Sequence, residues 1–255
     1  MNHFLLTLNY SFRRLFADKA VFLLVIIPMG LIVINSLATD PFAFEGYNVT
    51  ASMNMPAFLL AFQFFNMGIM LHFLYHDFRG DMRWRLRAAP HSVLSFILPV
   101  FTASWLFSIG LGLLIILLSA VFLNAYLGNL LVLAAVIVLI SLLANFLAML
   151  LFLLIDKFGL ANTLVYVISF GFMIMSGFMF PLGDSALAEF ITTHVSPLGL
   201  GVRAIMYAGS FNDLSPAIGI TGGGMRQALI NMGILAAATA VLACVTILVA
   251  RWRKI

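Results

Sequence analysis

Apolar residues run in long, almost unbroken stretches along this chain, and polar residues gather in the gaps between them. A helix of about twenty apolar residues is long enough to cross a bilayer. Six such stretches stand out, at about 20–38, 56–75, 93–122, 127–155, 161–180 and 227–250. The first is too long for the apolar core of a signal peptide. Ser36-Leu37-Ala38 faintly resembles a cleavage site, but the segment reads as a retained span. Ahead of it, residues 2–19 carry Phe4, Leu5, Leu8, Phe12, Leu15 and Phe16 within an arc of roughly 120° at helical spacing. Arg13, Arg14 and Asp18 fall outside that arc, which predicts an amphipathic helix lying on the membrane surface.

The gaps have distinct characters. Thr39 to Met55 holds Asp40 and Glu45 but no Lys or Arg, and Asn48-Val49-Thr50 fits a glycosylation sequon, a pattern that often arises by chance. Pro56 suits a first helical turn. The gap at 76–92 is short and charged, whereas the turn near Asn124 and Gly128-Asn129 is uncharged. Asp156-Lys157-Phe158-Gly159 makes a tight connection. The segment 181–225 is the longest without a span. It offers a short helix from Asp184 to Thr193, capped by Asp184. It also offers an apolar piece, Pro197 to Tyr207, too short to cross; two such pieces suggest a re-entrant or interfacial hairpin. The expected fold is an all-α integral membrane domain over 1–255. It has six transmembrane helices, an N-terminal interfacial helix and an outer re-entrant segment between spans five and six.

Composition strengthens this picture. Hydrophobic residues make up 64% of the chain and charged residues 9%, against about 25% in a soluble domain. The formal net charge of +4 comes from basic residues at the ends of apolar runs, so they read as topology signals facing anionic lipid, not as a nucleic-acid surface. Alternating the six spans puts eleven of the thirteen Lys and Arg residues on one side, leaving only Arg203 and Arg226 on the other. Both termini are then cytoplasmic. The single cysteine, Cys244, can form neither an internal disulfide nor a metal cluster and reads as a packing residue.

What the spans lack narrows the chemistry. No charge lies near a midplane; the polar residues within the spans are Asn35, Gln63, Asn66, Asn145, Asn162 and several Ser and Thr. A proton-coupled transporter normally needs a buried carboxylate or His chain, and an intramembrane protease needs a catalytic pair or a metal. No catalytic or metal-binding set is therefore expected. His72, near one end of span two, reads as a hydrogen-bonded structural histidine. Gly222-Gly223-Gly224 lacks the Lys-Ser/Thr of a phosphate-binding loop, so any pumping energy must come from another polypeptide.

Two patterns concern contacts. Ser104, Ser108 and Gly112 on span three, and Gly233, Ala236, Ala240 and Cys244 on span six, are small-residue stripes suited to close helix packing, within one subunit or between two. Spans two and five are rich in Phe and Met. Phe62, Phe65, Asn66, Phe170 and Met173 are the candidate lining of a path for a greasy or amphipathic cargo. The same residues also suit a lipid-facing or packed surface.

In this setting the chain resembles the ABC-2 type transporter permeases. Three features carry the likeness: the amphipathic helix ahead of six spans, the cytoplasmic loop ending Leu86-Arg87-Ala88-Ala89-Pro90-His91-Ser92, and an outer segment. That segment holds Ser176-Gly177-Phe178-Met179-Phe180-Pro181-Leu182, then Ser196-Pro197-Leu198 and Arg203-Ala204. The loop departs from the family pattern early: Asp77 stands for the usual Glu, and Gly80 is followed by Asp81 instead of Thr.

The resemblance implies a permease subunit of a bacterial exporter in the plasma membrane. It would pair with a second copy or a related permease. Cytosolic ABC ATPase subunits, which bind the ATP and Mg, would drive it; this chain would hold no cofactor and have no enzyme activity of its own. The implied cargo is a drug, antimicrobial peptide, lipid or glycan. The 76–92 loop would be the coupling element, with Asp77, Phe78, Arg79, Gly80, Arg83, Trp84, Arg87 and Pro90 as its contact residues. The bland reading of its arginines is topology alone. Rival functions are a membrane-embedded immunity or sensor protein, and a secondary transporter.

Overall fold

The computed structural model describes residues 3–17, 20–38, 43–44, 47–80, 93–178, 185–209 and 224–252. The elements in order are α1 (His3–Ala17), α2 (Ala20–Ala38), β1 (Ala43–Phe44), β2 (Tyr47–Asn48), α3 (Val49–Phe65), α4 (Met67–Arg79), α5 (Val93–Leu123) and α6 (Leu130–Leu154). They continue with α7 (Phe158–Met175), α8 (Ala186–Phe190), a π-turn (Ile191–Val195), α9 (Pro197–Ala208) and α10 (Met225–Trp252). The two strands form one small antiparallel hairpin, and the other described elements are helices.

Among the described residues, five helical stretches are long and apolar enough to cross a bilayer: Thr50–Arg79 (α3 with α4), Phe96–Leu123, Leu130–Leu154, Phe158–Met175 and Met225–Trp252. The chain is thus an all-α, multi-pass membrane protein. The apolar stretch of α2, Leu23–Leu37, is shorter. The α3–α4 stretch is the central one, with 72% of its apolar window buried, against 17% for α7 and for α10. Around it stand α2, α5, α6, α7 and α9, with α10 packed outside α6 and α9.

Asn48 sets the start of α3. Its side chain accepts the Ala51 N–H at 2.9 Å, and its amide nitrogen donates to Ser36 Oγ at 2.6 Å, tying the hairpin to the end of α2. The sequon asparagine is therefore an engaged cap. Pro56, expected in a first turn, lies inside α3 instead. A capping side chain satisfies orphan N–H groups and fixes the start, while an interior proline removes only one ladder bond. At Asn66 the ladder is interrupted: Asn66 N–H bonds Phe62 O, while Ile69 N–H reaches back only three residues to Asn66 O, each at 3.1 Å.

The piece too short to cross is α9, and it is buried. Ser196 caps it by accepting the Gly199 N–H at 3.2 Å, with Pro197 in the first turn. Leu198, Leu200 and Val202 are at most 3% exposed, held among α3, α6 and α10. Gly201 permits this approach: a Cβ there would stand 2.8 Å from Leu60 Cδ1 and 3.1 Å from Val136 Cγ1. Where the expected helix began at Asp184, that residue lies outside the described residues; the described part is α8 and the π-turn. Gly177, at φ +73°, lies just past α7, where a Cβ would stand 2.8 Å from Thr192 Cγ2.

The amphipathic α1 divides its apolar arc. Leu15 is 1% exposed against the core, and Phe16 meets Phe107 of α5 edge-on at 5.4 Å, while Phe4 and Leu5 remain outside. The two small-residue stripes separate. Ser104 and Ser108 are buried, and a Cβ on Gly112 would touch Gln63 Nε2 at 2.8 Å, so this stripe seats α5 on α3. On α10 the stripe Gly233, Ala236, Ala240 and Cys244 faces outward. The packed face carries Ala228, Asn231, Leu235, Thr239 and Thr246 instead, because Thr239 and Thr246 bond their own helix carbonyls and can pack as apolar groups.

Candidate functional site

Helical spacing brings three separate segments to one groove. On α7 the residues Phe158, Asn162, Tyr166, Phe170 and Met173 recur every three or four positions and so share a face. On α3 and α4 the matching face is Phe58, Phe62, Phe65, Gly68, Ile69 and His72. Leu23, Leu24, Ile27 and Leu31 of α2 close the third side. The cavity so enclosed measures about 810 Å³ and opens on one side. From Phe158 to Met173 its length is about 22 Å at 1.5 Å per helical residue. That size lies within the range of small-molecule sites.

Phe65 is the hub of its aromatic wall. Its ring lies 5.2 Å from Phe62, 5.2 Å from Phe170 in an edge-on arrangement, and 6.2 Å from Tyr166. These are favourable aromatic separations. Four of the five path residues read from the sequence, Phe62, Phe65, Phe170 and Met173, come together here although the helices that carry them are far apart in the chain. Asn66 does not line the groove; its side chain is buried, and its Oδ1 has no hydrogen-bond partner among the described residues. Its neighbour Phe65 takes the groove position, because one step along a helix turns a side chain by about 100°.

His72 departs from expectation. It is exposed on the groove, with its ring 5.6 Å from Phe158 and 6.3 Å from His76. One turn from it, Asn162 Oδ1 faces Gly68, 3.5 Å from where a Cβ would stand. Sequence reasoning placed Asn162 among the span polars without a role. The available signal was its spacing of four from Tyr166 and eight from Phe170. Among the described residues, no Asp, Glu, Lys or Arg lines the groove.

At the end of α4 the residues offered as coupling contacts are engaged inside the chain. Asp77 pairs with Arg14 of α1 at 2.6 Å, and the Arg14 guanidinium lies over the Phe73 ring at 4.3 Å. Arg79 donates to the carbonyls of Phe152 (2.8 Å) and Ile155, which end α6 without helical partners. It also meets Asp156 at 3.1 Å and stacks on Tyr75 and Phe152. Phe78 packs on Phe152 at 6.0 Å, and the Gly80 N–H closes α4 on Tyr75 O at 3.0 Å. Arg83, Trp84, Arg87 and Pro90 lie outside the described residues. The partner role of Arg14 carried no sequence signal, since 63 residues separate it from Asp77.

No protein-family model matches the chain, and no curated protein matches it.

Proposed function

We propose that this chain is the permease subunit of an ATP-driven exporter of the ABC-2 type, carrying a hydrophobic or amphipathic cargo across a bacterial plasma membrane. In this reading α2, α3 with α4, α5, α6, α7 and α10 are six spans, both termini are cytoplasmic, and α8 to α9 form the outer re-entrant segment. Separate cytosolic ATPase subunits supply the energy, and a second permease completes the path. The observation that carries the reading is the groove, about 22 Å long between α2, α3–α4 and α7, whose described lining is aromatic and without charge. An uncharged path suits a cargo moved by an outside motor and lacks the carboxylates through which a proton-coupled carrier would work.

The fastening of α4 also fits. Arg14–Asp77 holds its end to α1, and Arg79 holds it to the junction of α6 and α7. A push on the loop that follows would therefore reach three elements as one body. The test is on that loop. Replacing Trp84 and Arg87 with Ala should leave membrane insertion intact, weaken co-purification with candidate cytosolic ATPases, and abolish transport-linked ATP turnover. Normal assembly and transport in the double variant would overturn the reading.

A further inference from the structure

The groove is not uniform along its length. One end holds its polar groups, His72 and Asn162, with Tyr166 a turn further along; the other end is lined by Phe58, Phe62, Met173 and Leu31. Neither His72 nor Asn162 makes a hydrogen bond to the described residues, yet both border the cavity. The His ring and the Asn amide between them offer N–H donors to whatever lies there. A polar side chain facing an apolar groove without a protein partner is a ready contact for a ligand's polar atom.

We propose that the groove holds a single-tailed amphiphile lengthwise, with a hydrogen-bond-accepting head lacking positive charge at His72 and Asn162, and its tail between Phe65 and Phe170. This rests on the reading of the groove as a cargo path and names the cargo's class. Polarity fixes the direction, because reversing the molecule would put the tail on the polar end and bury the head among phenylalanines without partners. Charge fixes the head group. An ammonium would find no carboxylate among the described residues of the lining. Held over the rings of Phe65 and Tyr166 by cation–π attraction, it would take the place of the tail and leave His72 and Asn162 without a ligand atom to bond. A carboxylate or a neutral acyl head meets donors at the same place.

The experiment uses the full chain in phosphatidylcholine nanodiscs without any ATPase. Two probes share a twelve-carbon tail with a terminal diazirine, one headed by a carboxylate and the other by trimethylammonium. Light-induced labelling is mapped by mass spectrometry. The carboxylate probe should label the stretches 58–65 and 170–173 in preference to the outer face of α10. Asn162→Leu should reduce that labelling roughly tenfold, the loss of a hydrogen bond to a charged group. Phe65→Ala should reduce labelling by both probes. Because Asn162 makes no hydrogen bond to the described residues, its variant should melt as the parent does, so lost labelling is not lost folding. Equal labelling by the ammonium probe, indifference to Asn162→Leu, or even labelling along α10 would each overturn the proposal, as would a disulfide between two copies carrying Phe170→Cys in a Cys244→Ala background. Since no ATPase is present, failure of the permease reading alone would leave these results unchanged.

Discussion

Arg79 does the work of a helix cap from outside its helix. Its fork takes the Phe152 and Ile155 carbonyls while its face lies on two rings, a combination a lysine cannot reproduce. Arg79→Lys should lower stability by about 1–2 kcal/mol, read as a fall in thermal midpoint in detergent. Gly201 makes a sharper demand. In Gly201→Val the new Cβ would press on Leu60 and Val136 in a packed interior, costing about 1–3 kcal/mol by the same measurement. The sequence was informative for which side chains share one helix face, as for Phe62 with Phe65 and Phe170 with Met173. It was silent where the partner lies on a remote element, as for Arg14 with Asp77. For His72 it misled, because a histidine near a span end looks the same whether it faces protein or a groove.

At the level of elements, the interruption between α3 and α4 separates two jobs. The α3 half carries the aromatic wall, and the α4 half carries His72 and the fastened end. Asn66 stands at the joint with a buried oxygen that has no partner among the described residues. Asn66→Leu should remove that burden and raise the thermal midpoint. If the joint sets the aim of His72, the same variant should weaken carboxylate-probe labelling while leaving the Phe65-dependent part. Hydropathy located the helices because apolar runs and helices coincide in a bilayer. It did not locate their ends or faces. Asn48, outside the apolar run, starts α3, and α10 packs through Leu235, Thr239 and Thr246 instead of its smallest residues, since threonine hydroxyls bonded to their own helix present methyl groups outward.

For the molecule as a whole, the bias of Lys and Arg toward one side of the alternating spans makes a concrete expectation. In a Cys244→Ala background, cysteines introduced at Glu45, Gly128 and Ser210 should react with an impermeant reagent added to intact cells. Cysteines at Asp81 and Lys254 should not. Labelling at Asp81 would reverse the orientation and remove the loop from the cytosol. Composition made the membrane class plain, because no soluble surface can be built with 9% charged residues. The groove was less plain, since it exists only where three helices meet, and no stretch of sequence contains more than one of its walls.

The capped helix α9 bears on how the chain is made. Twelve residues give it about 18 Å, short of the ~30 Å hydrocarbon layer, so it cannot enter the bilayer as a span of its own. It needs a prepared berth, whose walls are α3 and α6, synthesised before it, and α10, synthesised after. Its docking is therefore a late event in biogenesis. Until α10 emerges, this apolar segment lacks one wall of its berth.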